Sequence, residues 1–136
     1  MGQQQLLLLV MGIILVGIAI MAGFYAFEEK SKQFVVDNLV NRNLEIANAA
    51  TFWKAKKDPL AGGNAKYAGL ATNGLDQLRI EAETNYGEFE ITSATDNTLV
   101  ITGVSSRWPD LGARTYVNRY SIDSTTVSYT GDITLQ

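Results

Sequence analysis

The chain contains no cysteine and no histidine. Together these absences remove thiol nucleophiles, disulfides, Cys/His zinc sites, Ser-His-Asp triads and imidazole acid–base chemistry. A domain outside the cytoplasm would therefore be held by packing alone. Charge is sparse too: 11 Lys and Arg against 14 Asp and Glu give a formal net charge of -3 over 136 residues. With no block of like charge, neither a nucleic-acid-binding surface nor a polybasic lipid-binding tail is indicated.

What is present begins with Leu6–Phe27, LLLLVMGIILVGIAIMAGFYAF, whose one polar side-chain group is the Tyr25 phenol. As a helix it would reach about 33 Å, enough to cross a bilayer. A cleaved secretory signal would carry a basic n-region and a shorter apolar core, whereas Met1 to Gln5 has no Lys or Arg. Residues 1–27 are therefore read as a hydrophobic helix, membrane anchor or filament core. Inside it Gly12, Ala19, Gly23 and Ala26 follow at steps of seven, four and three, which places them on one helical face and leaves a shallow groove for a neighbouring helix.

From Glu28 to Lys57 there is no Gly or Pro, and Val35, Leu39, Ile46, Ala50 and Trp53 recur at helical spacing opposite Asp37, Asn41, Glu45 and Asn48. The spacing predicts an amphipathic helix over 28–57, continuous with the anchor and stopped by Asp58-Pro59. The alternative is a break near Glu28 and two separate helices. Residues 58–86 are rich in Gly and Asn and read as a surface connection with at most a short helix around Leu75 to Glu81. Its Gly62-Gly63 pair lacks the GK[ST] of a phosphate loop.

The remainder alternates as strands do. Phe89 and Ile91 face one way and Glu88, Glu90 and Thr92 the other; Asp96-Asn97 makes a turn; Leu99–Val104 reads as a central strand. Two further strands are expected at Thr115–Ile122 and Thr125–Leu135, separated by Asp123-Ser124, with a bulge at Gly131. About four antiparallel strands bury too little surface alone, so the sheet should pack on the apolar stripe of Val35, Leu39, Ile46 and Trp53. The expected fold is α+β: a long N-terminal helix packed at its far end on a small antiparallel sheet, a lollipop, with residues 28–136 forming the head.

No constellation for catalysis, cofactor or metal emerges, and an enzyme is not expected. Glu88 and Glu90 would lie about 7 Å apart on one strand face, a glycosidase-like separation, but alternating glutamates also keep a sheet edge soluble. Asp58, Asp76, Asp96, Asp110 and Asp123 sit in turns, where Asp is favoured by the backbone, and none has calcium-loop spacing. Tyr116, Tyr120 and Tyr129 with Trp108 read either as an aromatic binding surface or as cross-strand packing.

A small residue, glutamines and then a long apolar helix at the N-terminus, Met1-Gly2-Gln3-Gln4-Gln5 followed by Leu6, resemble the type IV pilin superfamily, including archaeal-type pilins. The likeness covers about the first 55 residues. It implies prepilin-type processing between Gly2 and Gln3, a homopolymer built by packing of N-terminal helices, a membrane-inserted precursor, a pilus assembly machinery as partner, and a cell-surface filament. Two positions depart from the pattern: no Lys or Arg precedes Gly2, and the fifth residue after the cut is Leu7 instead of a glutamate. Two signals conflict over orientation: the positive-inside rule weighs Lys30 and Lys32 against an N-terminal side holding only the α-amine, which is the side that the pilin pattern keeps inside. The other reading is a single-pass anchor carrying an extracytoplasmic binding domain that never polymerises.

Overall fold

A computed structural model describes residues 2–57 and 65–135. One helix, α1 (Gly2–Ala55), is followed by a 3-10 turn (Ala68–Ala71), a short helix α2 (Gly74–Gln77) and four strands: β1 (Gly87–Ala94), β2 (Thr98–Ser105), β3 (Gly112–Asn118) and β4 (Ser121–Ser128). The fold is α+β. Helix α1 shows no break at Glu28, where a Lys32–Glu28 pair at 3.4 Å bridges one turn. Asp58-Pro59 and Gly62-Gly63 lie outside the described residues; the last helical residue is Ala55. The chain divides into two compact units, Met1–Gln33 and Phe34–Gln136.

In the second unit the strands form an antiparallel sheet in the order β1-β2-β3-β4. Val35, Leu39, Ile46 and Trp53 of α1 are buried in one cluster with Phe89 and Ile91 of β1, Leu99 and Ile101 of β2, and Ala113 and Val117 of β3. β-Branched and aromatic residues at alternate positions supply the sheet's inner face, while Glu88 and Glu90 turn outward. Each fully buried side chain of this kind contributes about 1.5–3 kcal/mol relative to exposure. At the centre Phe89 opposes Gly103, and a Cβ on Gly103 would stand 2.7 Å from the Phe89 ring, so glycine there lets the ring lie across the strand beneath α1. No β4 residue joins the core cluster.

The last third departs from expectation. The reversal between the final strands falls at Arg119-Tyr120, not at Asp123-Ser124. Arg119 adopts a left-handed backbone (φ 57), its N–H donates to the Asn97 carbonyl at 2.7 Å, and its carbonyl accepts from both Lys54 Nζ and the Tyr67 hydroxyl. Three hydrogen bonds of tertiary origin thus fix a turn that the local composition does not announce. Asp123 instead forms a bulge: Val117 pairs with Ile122 and Tyr116 with Ser124, leaving Asp123 as the extra residue.

The strand expected to reach Leu135 stops at Ser128. Gly131 has φ 85 and donates its N–H to the Asp110 carbonyl at 3.0 Å, which draws the tail back until Ile133 covers Gly112. The short helix also comes earlier, at Gly74–Gln77, after a left-handed Asn73 (φ 51).

Candidate functional site

Every described residue from Gly2 to Lys30 is exposed. This segment includes a window with the length and composition to cross a membrane, none of it buried within the chain. Contiguous exposed apolar surface of this kind marks a region that contacts a membrane or another protein.

Its glycines sharpen the point. A Cβ built on Gly12, Gly17 or Gly23 would meet nothing within 4 Å. Inside a helix each glycine costs roughly 0.8–1 kcal/mol relative to alanine, and here no described neighbour requires the missing side chain. In the second unit the reverse holds: at Gly69 a Cβ would stand 2.8 Å from the Trp53 ring and at Gly74 2.6 Å from Ile91. At about 100° per residue, Gly12, Ala19, Gly23 and Ala26 fall within an arc of roughly 60°, and Gly17 lies on the opposite side. Gly17 was not among the residues that sequence spacing singled out, because it does not share their face. Gly2 and Gln3 occupy the first turn of α1.

The second unit holds a polar pair in the apolar stripe of α1 that periodicity alone leaves unmarked. Asn43 is fully buried; its Nδ2 donates to the Ala113 carbonyl at 3.1 Å and its Oδ1 has no partner. Lys54 is buried with its ammonium 4.5 Å from the Tyr67 ring centroid and 4.6 Å from that of Tyr120, and it donates to the Arg119 carbonyl at 3.3 Å. Burial, and secondarily the Arg119 charge, hold it below the usual lysine range. Both positions follow from Leu39 by helical steps, so the signal was their place in the stripe, masked by their polarity.

The aromatic surface considered from sequence is split by the fold. Tyr116 sits between buried Thr115 and Val117 and points away from the core, whereas Tyr120 lies against Lys54 on the α1 side. Trp108 is half-buried under the Arg107 guanidinium at 4.5 Å. Glu88 and Glu90 stand opposite Val104 and Thr102 on the outer face. An open groove of about 580 Å³ is lined by Ala49, Phe52, Trp53, Lys56 and Asp76 to Arg79. Among the described residues no group of three His, Cys, Asp or Glu is placed to hold a metal ion.

No protein-family model, curated protein or solved structure matches the chain.

Proposed function

We propose that the chain is the structural subunit of a type IV pilus-like filament, held in the membrane by residues 6–27 until assembly buries the same surface against the helices of its neighbours. The observation that carries this reading is the empty space at Gly12, Gly17 and Gly23. Helix formers would serve an isolated anchor better, while close packing of helices is the circumstance in which small residues are favoured. Their distribution on two sides of α1 matches a helix with several neighbours, and heterologous contacts that do not close extend into a filament. Processing between Gly2 and Gln3 and delivery by a pilus assembly machinery belong to the same proposal.

Material sheared from the surface of producing cells provides the test, by electron microscopy and mass spectrometry. Filaments composed chiefly of this chain, with Gln3 as the first residue, are expected. Membrane-bound protein with no surface filament would overturn the reading. It would favour the anchored binding domain, for which the open groove beside the exposed Phe52 is the natural site.

A further inference from the structure

The two edges of the sheet are treated differently. The outer edge of β1 is paired at its start by a bridge between Glu83 and Glu88, with Phe89 N–H donating to the Ala82 carbonyl and Thr84 N–H to that of Gly87. Along the outer edge of β4, no backbone hydrogen bond from another described segment is present. Seven of its eight residues are exposed, and from Tyr120 to Tyr129 the one charge is Asp123. Lysine and proline, the usual guards of an open edge, are absent.

The sequence of this edge reads nearly the same in both directions: Tyr-Ser-Ile-Asp-Ser, then Thr-Thr-Val-Ser-Tyr. In a regular strand Ile122 and Val127, five apart, would point to opposite faces. The bulge at Asp123 corrects this: Ile122 pairs with Val117 and Val127 with Ala113, both on the inner face. Bulges commonly disrupt an edge; this one brings its apolar residues into phase.

We propose that β4 is a self-pairing edge, through which two copies of this chain join in one continuous antiparallel sheet about a two-fold axis at Thr125. With one bulge in each copy the register closes without conflict. Thr125 faces its own symmetry mate, Ser124 faces Thr126, Ile122 faces Val127, Ser121 faces Ser128 and Tyr120 faces Tyr129. Each pairing joins like with like and keeps both members on the same face, as antiparallel strands require. The two Asp123 residues are left unopposed about three residues apart along the strands, on the order of 10 Å, a Debye length at ordinary ionic strength. Ile122 and Val127, 40% and 37% exposed in one chain, would cover each other at the centre of an eight-stranded sheet. The occupant is a second copy because the strand is complementary to itself in hydrogen bonding, face and side-chain type at once. This inference does not rest on the filament reading, since a two-fold contact closes on itself and joins copies in pairs.

The chain's lack of cysteine makes the register directly testable in the full-length protein in detergent micelles. Thr125 is exposed, and a cysteine there would meet its own mate at a separation that a disulfide can span. Under oxidised glutathione, Thr125→Cys should form covalent dimers at least about tenfold faster than Ser124→Cys alone. Mixing Ser124→Cys chains with Thr126→Cys chains should restore the fast rate. Adding Ile122→Lys to Thr125→Cys should slow it about tenfold, by placing a cation against Val127 of the mate. Equal rates for Thr125→Cys and Ser124→Cys, a mixture no faster than Ser124→Cys alone, or indifference to Ile122→Lys would each overturn the proposal. Association through the N-terminal helices alone would not reproduce this dependence on register.

Discussion

The Lys54 ammonium and the Tyr67 hydroxyl donate to the same acceptor, the carbonyl of Arg119, while the Tyr67 ring lies 4.5 Å from the ammonium. The last turn of α1 is thereby tied to the β3–β4 turn through a cation flanked by Tyr67 and Tyr120.

A pH dependence follows. Because Lys54 is held below 10.5 in the folded chain, the unfolded chain binds that proton more tightly. Its contribution to stability therefore rises with pH between the folded-state value and 10.5, and is least favourable below both. Tyr67 acts oppositely: burial pushes its phenol above 10.0, so stability is lost as pH rises past that value. As pH is raised from neutrality towards 10.5, denaturant midpoints of the wild type should rise relative to those of Lys54→Met. A difference that stays flat across this range would contradict the burial of a charged Lys54.

Trp53 and Gly69 are fitted to each other, with 2.8 Å from the Trp53 ring to the site of a Gly69 Cβ. Trp53→Ala should cost about 3–5 kcal/mol and Gly69→Ala about 1–3 kcal/mol by overpacking. Because the two residues touch, the double variant should cost less than the sum. Chemical denaturation of the three variants measures this; a loss below about 1 kcal/mol for Trp53→Ala would mean that α1 does not cover the sheet there.

Deleting residues 1–33 should leave a soluble, folded protein, because the described core lies within Phe34–Gln136. Circular dichroism and size exclusion check it. Aggregated or unfolded material would show that the second unit depends on the first.

The helix and the sheet were legible for plain reasons. A long apolar run, the stripe of Val35, Leu39, Ile46 and Trp53, and the alternation of Phe89 and Ile91 with Glu88 and Glu90 are local patterns, and each is realised locally. The Arg119-Tyr120 turn was not legible, because its fixing contacts come from Asn97, Lys54 and Tyr67, distant in sequence, while Asp123-Ser124 carries the composition of a turn and forms a bulge. Asn43 and Lys54 were hidden because their chemistry contradicts their position. For the candidate assembly surface, spacing brought out Gly12, Ala19, Gly23 and Ala26. That no described residue uses the space at Gly12, Gly17 and Gly23 is visible only in three dimensions.

Gly23 supplies the most direct measurement. In lipid, Gly23→Leu should leave insertion intact or improved, since leucine is favourable at membrane depth. Between packed helices the same side chain would force neighbours apart at a cost of about 1–3 kcal/mol per site, repeated in every subunit. The variant should therefore reach wild-type levels in the membrane while its yield of sheared surface filaments, quantified by electron microscopy and immunoblotting, falls sharply or vanishes. Filaments at wild-type yield and length from Gly23→Leu would contradict assembly through this helix face.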